Sequence, residues 1–469
     1  MSGQKPREIA VQVLGRRGRE TFTEELFEQA LKGANLPAAD RRLCQELVYG
    51  IVRWQATLDW LIDRKTGHRT QKPALQDLLR LGLYQIFWLD RIPSHAAVHV
   101  TVELAKQRGF GAQAGFVNAL LRGYLREFEP TRALLNELKA SQPHLGYSHP
   151  EWLVDRWQKR WGQARTAELL AWNNAPPKTF ARVNTLKIEP AKLLPIWRNE
   201  NVEYDFVRQD WFEENLVFEL KSHPPLNRLP SFLNGFFYIQ DPSTLLAVRE
   251  LDLRPGQTVL DLCAAPGGKL TYIAQLMGNQ GRIVACDVDA GRLKLIEDNC
   301  ARLGVTCVEV LPGSAGVPPA SGARPLVRFD EGTKKAAEEH PDAPMLTPVK
   351  RPERRAPILT DQKFDRILVD APCSNTGVMR RRVDLRWRLS LEEIERLRTM
   401  QLELLRTAAH QLQSGGILVY STCSLELEEN RKVIDTVLSN HPDFKLEAEC
   451  QLVPWREGVD GAYVAKLRL

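Results

Sequence analysis

The sequence lacks the features that mark membrane, secreted and zinc-binding proteins. No apolar run approaches the roughly 18 residues that cross a bilayer, and the first ten residues are polar and charged, so we expect neither a membrane span nor a secretion signal. The eight cysteines stand singly, without a CxxC pair, which argues against a zinc knuckle or a disulfide framework. We therefore expect a protein of the reducing cytoplasm that needs no metal and no membrane.

The excess of positive over negative charge is also small. Lys and Arg number 64 against 58 Asp and Glu, which gives a net charge of +6, and 43% of the residues are apolar. This composition excludes a disordered or fibrous chain, and 469 residues suffice for about two to four domains. The mild basic excess permits a nucleic-acid partner without requiring one, because solvated Lys and Arg give the same count.

The residue pattern changes twice along the chain and divides it into three parts. Over 1–129 apolar residues recur at helical spacing, which predicts an all-helical domain whose basic residues form either a solvated face or an RNA-contacting patch. Over 130–234 a Trp-rich helical stretch precedes short mixed segments, which predicts a small α/β connector. Its tryptophans could pack in a core or stack on unpaired bases. Over 235–469 the pattern changes again, with an interruption at about 313–360.

In this third part, apolar β-branched runs alternate with helical patterns. Such alternation is typical of an α/β, Rossmann-like fold, a mostly parallel sheet covered by helices on both faces, and ligands bind at the carboxyl ends of its strands. The interruption holds eight prolines and clustered basic residues, and we interpret it as a mobile insertion, with an RNA-touching tail as the alternative. The predicted strands are 258–262, 282–287, 306–311, 364–370 and 416–422.

The first predicted strand runs into a turn of small residues at 263–269. Small residues let a ligand approach the backbone, and the start of the following helix offers free N–H groups. The turn is not GxGxxG, and position 263 is a cysteine where the phosphate loop has its first glycine, which disfavours a dinucleotide or a triphosphate. Asp287 ends the second strand, where a carboxylate can accept hydrogen bonds from ribose hydroxyls. Together the two features predict an adenosine-containing ligand.

Two later strands end in turns that carry a cysteine, Cys373 three residues after Asp370 and Cys423 directly after Thr422. A lone cysteine is usually a small buried apolar residue, but two at one ligand-binding edge are candidate catalytic thiols. A thiolate that adds to C6 of cytosine makes C5 nucleophilic enough to accept a methyl group, and a carboxylic acid near N3 helps that addition. The residues alone do not rank the two thiols.

These motifs resemble the RNA cytosine-5 methyltransferases that use S-adenosylmethionine. The resemblance rests on 261–269, on 370–377 and on 422–430, and segments 182–186 and 238–243 also match. The helical amino-terminal part is similar to the NusB-like domain of the bacterial branch that methylates small-subunit ribosomal RNA. The resemblance therefore implies S-adenosylmethionine as cofactor, small-subunit (16S) ribosomal RNA as partner, and a chain that we expect to be a monomer.

The resemblance also implies roles for individual residues. Cys423 would be the nucleophile and Cys373 would assist release of the methylated base. Asp370 would contact the cofactor side or the base, and Asp287 would bind the ribose. The residues that would line the methionine and adenosine site are Cys263, Ala264, Ala265, Pro266, Gly267, Gly268 and Lys269.

One position departs from the family's pattern. Family members usually carry an Asp after the third strand, where this chain has Ser314. Asp330 or Asp361 could replace that Asp, or backbone groups could hold the adenine. The departure favours one alternative, a non-catalytic RNA-binding ribosome-assembly factor that keeps the methyltransferase fold. A methyltransferase of small molecules or proteins is a further alternative, for which the amino-terminal helices would have no evident use.

Overall fold

The computed structural model describes residues 5–18, 21–34, 36–312 and 362–469. The predicted insertion at 313–360 lies outside these ranges, together with Ser314, Asp330 and Asp361. The domain boundaries predicted from the sequence stay predictions. Within the ranges given, no helix has both the length and the apolar character needed to cross a bilayer.

The amino-terminal part is a bundle of helices, and its described residues contain no strand. Among the apolar residues that recur at helical spacing, Leu78, Leu79 and Leu83 are fully buried, because residues three and four apart share one face of a helix. Helix α5 starts on a proline, which suits the first helical position because its missing N–H has no partner there. The helices are α1 Lys5–Gly15, α2 Thr23–Leu31, α3 Ala38–Arg53, α4 Gln55–Thr66, α5 Pro73–Trp88, α6 Ser94–Gln107 and α7 Ala114–Arg126.

A small α/β unit follows. Its antiparallel sheet has the order β2-β3-β1-β4, and its fourth strand lies beyond residue 234, where the sequence predicted the connector to end. Trp157 of the Trp-rich stretch is fully buried in a core, which agrees with core packing for that tryptophan, and Trp197 is fully buried against this sheet. The elements are α8 Phe128–Ser141, α9 Pro143–Gly146, α10 Glu151–Asn174, β1 Thr179–Val183, α11 Pro190–Asn199, β2 Glu203–Val207, β3 Val217–Ser222, α12 Pro230–Leu233 and β4 Phe237–Ile239.

The third part is built on a seven-stranded sheet of order β10-β11-β9-β8-β5-β6-β7. Strands β9, β8, β5, β6 and β7 are parallel, and β11 and β10 extend the sheet antiparallel beyond β9. The elements are α13 Leu245–Arg249, β5 Thr258–Asp261, α14 Gly268–Leu276, β6 Arg282–Asp287, α15 Ala290–Leu303, β7 Val308–Pro312, β8 Phe364–Asp370, α16 Leu385–Arg388, α17 Leu391–Gln411, β9 Leu412–Thr422, α18 Arg431–Asn440, β10 Lys445–Leu452, α19 Pro454–Glu457 and β11 Ala462–Arg468.

The predicted α/β fold is confirmed, and each of the five predicted strands is found. Successive strand residues enter different cores: Val259 packs with Leu270 and Ile273 of α14 on one face, and Leu260 packs with Leu404 of α17 on the other. A parallel sheet buried on both faces explains why its strands are continuously apolar. The β10–β11 hairpin was not predicted, because β10 is an edge strand whose exposed residues carry charge.

The core of the small α/β unit yields a stability prediction. Trp197 has no exposed surface, and its ring lies 5.3 Å from Phe218 and 5.4 Å from Phe237. We expect Trp197→Ala to lower the free energy of unfolding by about 3–5 kcal/mol, since it leaves a cavity. Phe206→Ala, at a side chain of the same unit that is 52% exposed, is the control. Equal losses in urea-induced unfolding of the two variants would contradict this packing.

Candidate active site

The last residues of three neighbouring strands, β5, β8 and β9, lie at the same edge of the sheet. In the parallel register, Asp261 of β5 lies opposite Leu368 of β8, and Asp370 of β8 lies opposite Ser421 of β9. The chain places β6 and β7 on one side of β5, then returns to place β8 and β9 on the other. Ligands of such sheets bind in the crevice at this switch point. The turns after β5, β8 and β9 therefore meet where the sequence predicted a site.

The two predicted thiols touch there. The Sγ atoms of Cys373 and Cys423 are 3.3 Å apart, with Cys373 buried and Cys423 half-buried. The hydrogen bond with Cys423 and burial together raise the pKa of the Cys373 thiol well above its usual value. Cys423 is the more accessible of the two, which suits an attacking group.

Asn375 also contacts the thiol of Cys423, and the sequence analysis missed it. Its Oδ1 lies 3.0 Å from the Cys423 Sγ and accepts the S–H hydrogen bond, while its Nδ2 donates to the backbone carbonyl of Cys373 at 2.6 Å. The backbone of Asn375 has φ of 56°, a left-handed conformation that asparagine tolerates better than most residues. An Asn two residues after the predicted thiol was the available signal.

Asp370 lies on the thiol side of the site and forms an ion pair with Lys269. The Lys269 Nζ is 2.6 Å from its Oδ2, and the Ser421 hydroxyl donates to its Oδ1 at 2.8 Å. Burial opposes the charge on Lys269, but the attraction of Asp370 outweighs it and raises the pKa of the lysine. Lys269 is the last residue of the small-residue turn at 263–269, called the cofactor turn after its predicted role. The structure directs its ammonium group to Asp370, so this lysine joins the turn to the thiol side of the site.

Asp261 is a second carboxyl group in the same corner. It is 1% exposed, and its Oδ1 accepts a hydrogen bond from the Cys263 amide at 3.3 Å. Burial, and then repulsion from Asp370, raise the pKa of Asp261 to about 8. The site thus holds one carboxyl group that keeps its proton at neutral pH next to one that is paired with a lysine.

The cofactor turn is formed mostly of small, buried residues. Ala264, Ala265 and Gly267 are buried, whereas Pro266 is exposed. Gly267 has φ of +101°, a conformation that residues with a β-carbon rarely adopt. A β-carbon at Gly268 would lie 3.1 Å from the Tyr238 ring. The turn therefore depends on its glycines, and its buried small residues bring the backbone close to the crevice.

Asp287 lies at the end of β6, next to this turn. Its Oδ2 accepts a hydrogen bond from the Ala265 amide and its Oδ1 one from the Asp289 amide, each at 3.2 Å, and the Arg292 guanidinium is 3.4 Å away. Burial raises the pKa of Asp287, although Arg292 and these amides oppose the rise. Val288, which follows it, is 42% exposed. A strand-end carboxylate beside an exposed apolar side chain and a close backbone turn fits the ribose and base of an adenosine.

Arg182 supports the turn from behind, a role that the sequence analysis did not predict. This guanidinium is 1% exposed and donates to the Gly268 carbonyl at 2.8 Å, to Gln240 Oε1 at 2.6 Å and to Thr271 Oγ1 at 3.0 Å. The segments 182–186 and 238–243 thus brace the cofactor turn. Arg182 itself is turned inward and is not available to a macromolecular partner.

Glu429 ties the two thiol loops together. It is buried, and it accepts hydrogen bonds from the Ser374 amide at 2.8 Å, from the Ser424 hydroxyl at 2.5 Å and from Gln401 Nε2 at 3.1 Å. Burial raises the pKa of Glu429 in spite of these donors. Because Ser374 and Ser424 directly follow the two cysteines, one carboxyl group fixes both loops in relation to each other.

These features define a class of protein, a Rossmann-like methyltransferase with a pair of thiols at the strand ends. Sequence profiles of three families match the chain: the 16S rRNA methyltransferase RsmB/F over 248–329 and 347–468, the NusB family over 4–126, and the ferredoxin-like domain of RsmF/B-like methyltransferases over 149–219.

Curated relatives extend over nearly the whole chain. A probable ribosomal RNA small subunit methyltransferase B of Bacillus subtilis is 33% identical over 98% of each chain, and one of Synechocystis is 35% identical over 92% of this chain and 87% of the other. The chain belongs to this RsmB family of ribosomal RNA methyltransferases.

Solved structures agree with the fold. The crystal structure of PH0851 has a TM-score of 0.74 at 26% identity and covers 100% of this chain and 99% of its own. A methyltransferase homologue from Pyrococcus horikoshii has a TM-score of 0.54 at 30% identity, over 72% of this chain and 98% of its own. The predicted combination of a NusB-like domain with a methyltransferase domain is confirmed.

The raised pKa of Asp261 predicts how stability depends on pH. The folded protein keeps this proton up to about pH 8, whereas an unfolded Asp loses it near pH 4. We therefore expect Asp261 to make the free energy of unfolding fall between about pH 4 and pH 8 and to contribute no further change above that. Asp261→Asn should flatten this part of the curve, measured by urea unfolding at several pH values.

The control is Asp298→Asn, which changes an exposed carboxylate paired with Lys294. It should leave the pH dependence as in the unsubstituted protein. The same slope between pH 5 and pH 7.5 in Asp261→Asn and in the unsubstituted protein would show that Asp261 is ionised in the folded state.

Proposed function

We propose that this protein methylates C5 of a cytosine in small-subunit (16S) ribosomal RNA, with S-adenosylmethionine as methyl donor and a covalent bond between Cys423 and C6 of the base. The observation that carries the proposal is the contact between two thiols at the ends of adjacent parallel strands, 3.3 Å apart. A protein that only binds RNA has no use for such a pair. Membership of the RsmB family supports the ribosomal substrate.

Cys423 is the attacking group in this proposal. Cys423 is half-buried, whereas Cys373 is buried. As a thiolate, the sulfur adds to C6 and the electrons of the C5–C6 double bond become available at C5. Bound S-adenosylmethionine would supply an electrophilic methyl group for C5 and leave as S-adenosylhomocysteine. Loss of the C5 proton to a base and breakage of the sulfur–C6 bond then restore the aromatic ring and free Cys423.

Asp370 is positioned to help that addition. Its carboxyl group lies between Lys269 and Ser421, on the strand next to the one that carries Cys423. Protonation or hydrogen bonding at N3 withdraws electrons from the ring and favours attack at C6. Lys269 is the nearby proton donor that can serve Asp370, because the two are joined at 2.6 Å.

Cys373 is proposed to assist release. Its sulfur is in hydrogen-bond contact with the Cys423 sulfur, and its raised pKa keeps it protonated at neutral pH. A protonated thiol can donate to the leaving sulfur as the bond to C6 breaks. Cys423 is then a thiol and Cys373 a thiolate, and return of the proton across their contact restores the state in which Cys423 attacks.

Residues 263–269, Asp287 and the exposed Val288 are proposed to hold S-adenosylmethionine. The buried small residues of the turn and the carboxylate beside it fit that group, as the contacts of Ala265 with Asp287 indicate.

The cysteine assignment is testable with two variants. We expect Cys423→Ala to abolish methyl transfer to small-subunit RNA, because no nucleophile remains for C6. Cys373→Ala should still attack but release slowly, so that a protein–RNA adduct accumulates. Adducts are measured by denaturing gel electrophoresis with labelled RNA, and methyl transfer by incorporation of labelled methyl groups.

Cys450→Ala is the matched control, since this half-buried cysteine lies on the edge strand β10. It should methylate at the normal rate and form no stable adduct. Full activity in Cys423→Ala would show that the mechanism is wrong. An adduct that forms with Cys423→Ala instead of Cys373→Ala would show that the two roles are exchanged.

A further inference from the structure

An arginine-rich segment follows the first thiol loop and reaches the amino-terminal bundle. This segment, residues 380–388, is called here the arginine bridge. It begins five residues after Asn375 and ends just before α17. Val383 and Trp387 of the bridge pack into the core of the bundle, and the Trp387 indole donates to the Val52 carbonyl at 2.8 Å. The bridge, which belongs to the methyltransferase part of the chain, therefore contributes side chains to the core of the bundle.

Arg386 is the centre of the bridge. Its side chain is fully buried, and no carboxylate of the described ranges lies within ion-pair distance of it. Instead it donates to backbone carbonyls of Ser148 and Asn173 at 3.0 Å each and of Arg53 at 3.3 Å, and to Asn174 Oδ1 at 2.8 Å.

The charge of Arg386 is compensated by helix ends. Arg53 is the last residue of α3, and Asn173 and Asn174 end α10. The final carbonyls of a helix have no partner within it and carry partial negative charge. One guanidinium thus satisfies the ends of two helices, one from the bundle and one from the connector. This fixes both helices against the bridge.

Asp384 makes a second link to the bundle. The Thr23 amide donates to its Oδ2 at 2.5 Å and the Thr23 hydroxyl to its Oδ1 at 2.7 Å, so that this carboxylate caps the start of α2. Asp384 is 1% exposed, and Arg17 lies 3.4 Å from it. A carboxylate at the amino end of a helix is stabilised by the free N–H groups there.

The other end of the bridge is tied to the active site. Arg380 pairs with Asp460 at 2.6 Å, and Arg381 pairs with Asp241 at 2.9 Å. Next to Asp460, the Gly461 amide donates to the Gly377 carbonyl, and the Gly377 amide donates to the Cys423 carbonyl, each at 2.9 Å. Hydrogen bonds and ion pairs at its two ends therefore connect the backbone of the bridge to α2 of the bundle on one side and to the backbone of Cys423 on the other.

We propose that the amino-terminal bundle positions the two thiol loops, acting through Asp384 and Arg386 of the arginine bridge, so that it sets the rate of the chemical step as well as serving any RNA docking. Asp384 and Arg386 are positioning residues, since neither touches the thiols. The turnover arm of the test rests on the proposed function. A bundle that only docks RNA would change the affinity for RNA and leave turnover alone.

The first measurement separates turnover from affinity. Asp384→Asn keeps the size of the side chain but turns one acceptor into an amide that faces the donors of Thr23. At saturating RNA we expect turnover to fall by about tenfold or more, while the RNA concentration for half-maximal rate stays within about threefold. The control is Glu103→Gln, which removes an exposed ion pair with Lys106 on the same bundle and should change neither.

The second measurement needs neither RNA nor methyl transfer. The rates at which iodoacetamide alkylates Cys423 and Cys373 are followed peptide by peptide with mass spectrometry. Displaced thiol loops should change the Cys423 rate in Asp384→Asn by at least about threefold, since reactivity follows exposure and the fraction of thiolate. Glu103→Gln should match the unsubstituted protein. Thermal unfolding confirms that each variant is folded.

If Asp384→Asn does not fold, Thr23→Ala carries the same test. Thr23→Ala loses the hydroxyl donor and keeps the amide, so turnover and the Cys423 alkylation rate should change in the same way but by smaller factors. Unchanged turnover and alkylation in a folded variant would overturn the proposal, as would a loss confined to RNA affinity. If the unsubstituted protein does not methylate cytosine, the proposed function fails, and the alkylation rates alone then decide this inference.

Discussion

The site depends on the register of three parallel strands. With Asp370 opposite Ser421, the turns after β8 and β9 begin at the same height of the sheet, and the two cysteines that follow come into contact. A shift of one residue would turn every side chain of β9 to the other face, which would separate the thiols and expose the core. The same register sets Asp261 beside Asp370, and so determines how protons are shared among the carboxyl groups and Lys269.

Buried polar groups keep that arrangement unique. Glu429, Arg182 and Arg386 lie in the interior, where an unpaired charge is costly, and each is surrounded by hydrogen-bond partners. Such groups add little net stability compared with apolar residues of the same size. Their partners lie on different segments, so the hydrogen bonds form only when the loops are correctly placed. In this protein they serve to fix the relative positions of the cofactor turn, the thiol loops and the bundle.

The fold and part of the site could be predicted from the sequence, because local residue patterns mark strands and turns but do not mark long-range contacts. The buried parallel strands and the turn at 263–269 have strong local patterns, so their position could be predicted. The contact between Cys373 and Cys423 could be expected from their matching places at strand ends. The roles of Asn375, Arg182 and Arg386 could not, because an isolated Asn or Arg in a sequence gives no sign that it is buried. Asn375 contacts the Cys423 thiol from 48 residues away along the chain, and the hydrogen-bond partners of the Arg182 and Arg386 side chains lie 58 or more residues away.

The proposed reaction methylates one atom of one base, C5 of a cytosine in small-subunit ribosomal RNA. Bisulfite converts unmodified cytosine to uracil but spares 5-methylcytosine, so sequencing after bisulfite treatment reports the base, its position and the type of reaction together. We expect small-subunit RNA from cells that make this protein to contain a cytosine that resists conversion, and the same cytosine to be converted when the protein is deleted. An identical bisulfite pattern in the two kinds of cell would show that the proposed methylation does not occur.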